Sequence, residues 1–425
     1  MNISDLQVKL LDLVLPLART VDMMSPALAD HHLDVAYLAL RIGEKSGLPD
    51  PDLQTLVVAG MLHDIGAFSL EERLDILEFE YRKPDAHCRA GYELLRHFEP
   101  FAEAARIIRY HHIPWDNEAG RKLDDATVPL ASHIVHLADR IAVLIPKNVD
   151  VLGKVSEICE RIKQQRGMRF HPELVDAALS LARQDSIWMD IVSRSVERPL
   201  TACLTTSQHT ATLDELLAFG ELVCRLIDFR SPFTATHTSG LAATAEALGE
   251  RIGFHENGRK LLRLAAYLHD LGKLAVPLEI LEKPGQFTDG EWHTMRSHVY
   301  YTFHALAALP ELDQLTSWSA LHQERLDGTG YPFGYTAEHL PLGARVLAVA
   351  DVFVGITEDR PYREGMPEDK ARSVLADMVA KHKLDPDVVR VLFDDFEAVN
   401  SIRAQAQESA RQAFEAFRED LAKPA

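Results

Sequence analysis

The chain repeats itself, and the repeat dictates what it can fold into. "VDMMSPALADHH", from Val21, aligns with "IDFRSPFTATHT", from Ile227, so that Asp22 meets Asp228, Pro26 meets Pro232 and His31 meets His237, 206 residues apart. The same spacing links Gly47 to Gly253, His63 to His269, Asp64 to Asp270 and Gly66 to Gly272. It widens to 211 for His87 with His298 and His111 with His322, to 212 for Asp139 with Asp351, and to 214 for "FHPELV" with "LDPDVV". A slow drift of this kind is what a duplicated domain shows when loops gain a few residues. The 425 residues must therefore build one architecture twice. Pro199 and the Ser/Thr-rich "SVERPLTACLTTSQHTAT" interrupt the pattern, which predicts domains of residues 1–200 and 201–425.

The architecture predicted is all-α, a tandem pair of helical bundles. "LDVAYLALRIGEKSGL" and "RKLLRLAAYLHDLGK" place apolar residues at three- and four-residue steps, and Gly47 and Gly253 stand where helices should stop. "ARVLAVADVFVGIT" is apolar enough for a buried strand, but its counterpart "ASHIVHLADRIAVL" is less strand-like, so both read as helices. No run approaches the ~18 apolar residues of a membrane helix. Asp5 and Lys9 fall where a signal peptide would have its basic region and apolar core, so a cytoplasmic protein without membrane attachment is expected.

Four cysteines with no CxxC pair indicate neither a disulfide scaffold nor a zinc ribbon. A net charge of −19 argues against a nucleic-acid polymer as partner and requires local cations at any site for an anionic substrate. Twenty histidines exceed what a core needs. Each half orders them alike: His, then His-Asp some 32 residues on, then His, then His or His-His, then Asp. Neutral imidazoles mixed with carboxylates suit a first-row divalent ion such as Fe, Mn, Ni, Co or Zn. A carboxylate can bridge two ions, and two ions ~3.5–4 Å apart can polarise a phosphate. Singly, His87 or His298 reads as a surface or capping residue. Buried aspartates such as Asp139 and Asp351 need a cation nearby, and repetition in register argues for metal in both halves.

The second half resembles an HD-GYP domain, a bacterial phosphodiesterase module of the HD metal-hydrolase superfamily. The resemblance rests on "HDLGKLAVPLEILEKPG" (269–285), "MRSH" (295–298), "HQERLDGTGYP" (322–332) and "GARVLAVADVFVGITEDRPYR" (343–363). The first half resembles a more divergent HD domain through "LHDIG", "DAHCRAGYELL", "YHHIPWD" and "VHLADR". The resemblance implies a helical fold with a dinuclear centre that hydrolyses a cyclic dinucleotide, usually cyclic di-GMP. Two divalent ions are implied: His237, His269, Asp270 and Asp351 would hold one, and Asp270 would bridge to another held by His298 and His322. Lys273 would touch a substrate phosphate, where a cation offsets charge developing in the transition state. Gln323, Gly330, Tyr331, Pro332, Arg360 and Arg363 are the remaining candidates for substrate binding. Tyr331 is read equally as a base-stacking or a loop-packing residue.

Three departures from the family pattern stand out. Gln323 replaces a second histidine, Phe233 stands where trinuclear members carry glutamate, and Thr302 replaces a glycine, with a reshaped pocket wall expected. The first half keeps His31, His63, Asp64, His87, His111, His112 and Asp139 but has Ala67 in place of Lys273 and "WDNEAG" in place of "LDGTGYP". It therefore reads as a metallated regulatory or scaffolding domain, with catalysis in the second half. Cyclic GMP-AMP is the rival substrate. "GYP" and "DRPYR" count against a general nucleotide phosphohydrolase, and Gln323 alone favours a non-catalytic sensor. A homodimer or a signalling protein is the partner class to consider.

Overall fold

The computed structural model describes residues 8–79, 85–123, 126–146, 150–205, 210–232, 234–283, 285–359 and 364–423. It forms two compact units: Leu11–His209, and Thr210–Ala425 together with the first ten residues. Val8 accepts a backbone hydrogen bond from Ala211 at 2.8 Å. The helical expectation holds in both units. The strand pair among the described residues is short, Lys122–Leu123 against Ala126–Thr127, antiparallel. No helix among them is long and apolar enough to cross a membrane.

In the first unit, the His31–Lys45 helix packs against Asp50–Leu62 and Leu130–Ala142. Val35, Ala36, Ala39, Val57, Ala59, Ile134 and Val135 bury their side chains completely. In the second unit, His237–Ile252 takes the same place, against Glu256–Leu268, Leu342–Thr357 and the 27-residue Phe396–Ala422 helix. "ARVLAVADVFVGIT" lies within Leu342–Thr357, and burial of its apolar residues accounts for its strand-like composition. Gly47 and Gly253 adopt φ of +79° and +100° just past their helices, a conformation that costs residues with a Cβ about 1–2 kcal/mol.

Each His-Asp pair lies where an apolar helix gives way to a tight turn. Asp50–Leu62 ends immediately before His63, and Glu256–Leu268 immediately before His269. The glycine two residues after each aspartate permits a close backbone approach. A Cβ on Gly272 would lie 1.9 Å from the His298 carbonyl oxygen, and one on Gly66 would lie 2.2 Å from that of His87. The glycine thus seats the turn on the helix that carries the third histidine. Thr302, expected on a pocket wall, is instead fully buried in this junction. Its hydroxyl donates to the His269 carbonyl at 3.0 Å and accepts from Gly272 N–H at 2.9 Å. The correction has a simple cause: a threonine one turn beyond His298 faces the His-Asp turn, whose backbone groups it satisfies.

Gly272→Ala is expected to destabilise the second unit by about 3 kcal/mol, the upper end of overpacking costs, because the obstructing atom is backbone. Thermal unfolding of the full chain should show an early transition. An unchanged melting profile would contradict the close approach.

Candidate metal centres

In the second unit, the N-terminus of the His237–Ile252 helix, the His-Asp turn, the helices of His298 and Asp351, and the turn just past the Asp313–Ala320 helix bring His237, His269, Asp270, His298, His322 and Asp351 together. Asp270 Oδ2 lies 2.9 Å from His269 Nε2, and its Oδ1 lies 3.2 Å from His298 Nε2. Asp351 Oδ1 lies 3.2 Å from His237 Nε2. Ligand atoms of His237, His269 and Asp351 fall within 4.8 Å of one another, as do those of His269, Asp270 and His322.

Backbone carbonyls fix the imidazoles. His269 Nδ1 faces the Ala266 carbonyl at 2.7 Å, His298 Nδ1 that of Met295 at 2.5 Å, and His322 Nδ1 that of Ser319 at 2.7 Å. A carbonyl only accepts, so each Nδ1 carries a proton and each Nε2 is the nitrogen that faces inward, where it can offer its lone pair to an ion. His322 Nε2 has no hydrogen-bond partner among the described residues. Burial, reinforced by His269, pushes His322 down to about 3, which keeps it in the neutral, ligating form. Burial works against an ionised Asp270, but His269 and then Lys273 outweigh it and hold the carboxyl well below its usual range. Inward lone pairs around buried carboxylates fit a divalent ion.

His237 is oriented differently. Glu358 lies 3.2 Å from its Nδ1, and Gln407, from the Phe396–Ala422 helix, donates to the same carboxylate at 3.0 Å. Gly240 makes room, since a Cβ there would lie 2.7 Å from Gln407. Burial lowers the pKa of His237, but Glu358 and Asp351 outweigh it and raise it to about 10. Sequence reading missed Glu358 and Gln407, which lie 121 and 170 residues from the histidine they serve.

Lys273 sits 2.5 Å from Asp270 Oδ2 and retains 17% of its side-chain exposure. Gln323 donates to Asp351 Oδ2 at 2.9 Å, so it holds that carboxylate from outside. Tyr331 lies under the Arg296 guanidinium, 4.6 Å from its ring centroid, with half-exposed Trp292 beyond. Gly330 permits the tight hairpin, since a Cβ there would lie 2.4 Å from Arg325 N. Phe233, Arg360 and Arg363 lie outside the described residues. The loop after His322 is shaped by Glu324, which sequence reading also missed. Its carboxylate is 1% exposed and accepts from Phe333 N at 2.7 Å, Gly334 N at 3.1 Å and Tyr335 N at 3.1 Å.

The first unit gathers its own set. Asp64 Oδ2 lies 3.2 Å from His63 Nε2, and Oδ1 lies 3.3 Å from His87 Nε2 and 3.5 Å from His111 Nε2. His31 Nε2 is 3.5 Å from Asp139 Oδ1, while His112 packs against His111 with ring centroids 4.1 Å apart. Here the enclosure is tighter: Asp139 has 0% side-chain exposure against 18% for Asp351. Arg140 explains the difference. It binds Asp139 at 2.6 Å and donates to the Ile76 and Glu78 carbonyls at 2.9 and 2.6 Å, so it caps the Leu70–Ile76 helix while fixing the carboxylate. Ala67, fully buried, leaves no cation beside Asp64 in the place of Lys273.

Family comparison agrees with this duplicated geometry. HD-domain models match residues 28–144 and 221–388. The chain is a tandem HD-domain protein. It is 28% identical over 389 residues to 3'3'-cGAMP-specific phosphodiesterase 1 of Vibrio cholerae, covering 88% of this chain and 89% of that one. It is also 36% identical over 155 residues to the cyclic di-GMP phosphodiesterase response regulator RpfG of Xanthomonas campestris, covering 36% of this chain and 41% of the relative. A crystal structure of a cyclic GMP-AMP-specific phosphodiesterase from V. cholerae superposes with a TM-score of 0.64 at 22% identity, over 91% of this chain and 97% of that one, which supports the shared fold.

Glu324→Ala would strand three N–H groups that the carboxylate now satisfies, each costing about 1–3 kcal/mol where water cannot reach it. Amides of residues 333–335 should then exchange with solvent at least tenfold faster. Unchanged exchange would show that the loop keeps its path without the carboxylate.

Proposed function

We propose that the second unit hydrolyses cyclic di-GMP to the linear dinucleotide, and onward to GMP, with His237, His269, Asp270, His298, His322 and Asp351 holding two divalent ions. When bound, such a pair polarises a phosphodiester and lowers the pKa of water. Asp270 would bridge the two positions, since its two oxygens face different histidines. Lys273 would leave Asp270 for a phosphate oxygen once cations neutralise that carboxylate, and would stabilise charge as it develops there. Gln323 would keep Asp351 aimed inward. Arg296, Tyr331 and Trp292 would form the rim against which a purine lies. In the first step one phosphodiester of the ring takes up one water, leaving a phosphate monoester and a hydroxyl; going on to GMP breaks the remaining phosphodiester with a second water.

The observation that carries this assignment is the contrast in access between two otherwise similar centres. Asp351 and Lys273 reach solvent, whereas Asp139 and its surroundings do not. The first unit is therefore proposed as a metallated regulatory or scaffolding domain. Cyclic GMP-AMP is the second reading, favoured by relatives aligned along most of the chain, which bear that specificity in their names.

Incubating the metal-loaded chain with each cyclic dinucleotide and separating the products should show a linear dinucleotide from at least one. Asp270→Ala should abolish turnover and Asp64→Ala should leave it measurable; activity lost only in Asp64→Ala would reverse the assignment. Lys273→Ala should slow single-turnover hydrolysis ~10²–10³-fold with metal content unchanged. A near-normal rate would reduce Lys273 to an ion-pair partner of Asp270.

A further inference from the structure

Three imidazoles of the second centre are held from outside by neutral groups, and the fourth by a charged one. His269, His298 and His322 each turn Nδ1 to a backbone carbonyl. His237 Nδ1 instead faces both oxygens of Glu358, at 3.2 and 3.3 Å. This buried carboxylate directly follows the Leu342–Thr357 helix, which carries Asp351, and accepts from Gln407 Nε2 at 3.0 Å. The Gln407 amide has only one orientation open to it. Arg403, one turn earlier on the Phe396–Ala422 helix, donates to its Oε1, and a guanidinium cannot accept, so Nε2 is left for Glu358. Asn400 fixes Arg403 in turn, accepting from its Nε at 2.8 Å. A chain of side chains thus runs from that helix to one nitrogen of the centre. The first unit is built otherwise. Pro146 stands in register with Glu358, and Asp34 with Gly240, the residue whose missing Cβ admits Gln407.

We propose that Glu358 and Gln407 are positioning residues for the metal centre of the second unit. Gln407 holds the Glu358 carboxylate against His237 Nδ1, and the carboxylate aims His237 Nε2 inward and strengthens its hold on an ion. An ion that draws electron density from Nε2 makes the Nδ1 proton more acidic. An anionic acceptor answers that polarisation better than a carbonyl does. Neither residue is a ligand; both act through the histidine. The Phe396–Ala422 helix, which supplies no ligand, therefore sets how tightly one metal position is held. The inference rests on the reading of His237 as a ligand.

Competition between the metal-free full-length chain and a chromophoric chelator for zinc(II) measures that hold without turnover. Glu358→Gln keeps the shape, removes the charge and should weaken the binding of one ion ~10–100-fold. Gln407→Met keeps the length, removes the donor and should weaken the same ion by a smaller factor. His237→Ala identifies the ion concerned, because it should lose it, and the first unit contributes equally to every chain compared. A purely structural Glu358 would lower the melting temperature of the metal-free Glu358→Gln chain and leave its zinc affinity at the wild-type value. That result, with the ion lost in His237→Ala, would overturn the inference and leave the ligand assignment standing. Wild-type affinity in His237→Ala would overturn the assignment and the inference together. If Glu358→Gln does not fold, Gln407→Met decides, and wild-type affinity there counts against the proposal.

Discussion

A carboxylate buried at the end of an apolar helix is the constraint on which the rest of each unit turns. Asp64 and Asp270 retain only a few percent of their exposure, and an ionised group there is strongly disfavoured unless positive charge surrounds it. Besides its immediate neighbour, each aspartate meets a histidine from a distant segment, so its needs tie separate parts of the chain to one point. The neighbouring glycine serves the same end, because only a residue without a Cβ lets the turn rest on the helix of the third histidine. Packing and electrostatics here make one demand.

From that shared plan the two units diverge around their last aspartate. In the first, an adjacent arginine closes over it and spends its other donors on helix-end carbonyls. In the second, valine follows the aspartate and an amide side chain holds it instead, which leaves a path to solvent. Arg230 caps a different turn, donating to the Lys273 and Val276 carbonyls at 2.8 and 3.1 Å. Arginine seals the first centre, whereas the amide of Gln323 leaves the second open.

The duplication, the helical class and the gathering of the His and Asp residues were legible because each depends on spacing, which a sequence displays directly. Glu358, Gln407 and Glu324 were not, because an ordinary Glu or Gln on a helix or loop looks the same whether it faces water or an imidazole. Arg140 was hidden for a related reason: next to an aspartate it suggests a simple ion pair, while its backbone partners lie more than sixty residues away. Thr302 was misread because its two partners are backbone groups, which carry no mark in the sequence.

The grip of Glu324 on its loop separates two properties that usually change together. The carboxylate holds main-chain amides of residues 333, 334 and 335 and makes no demand on the side chains there. Substitutions of the side chain at Tyr335 can therefore change the surface of this loop without removing the bonds that hold its path. Its course is set by a buried residue outside the segment it holds, so the loop can vary in sequence one position at a time while keeping its shape.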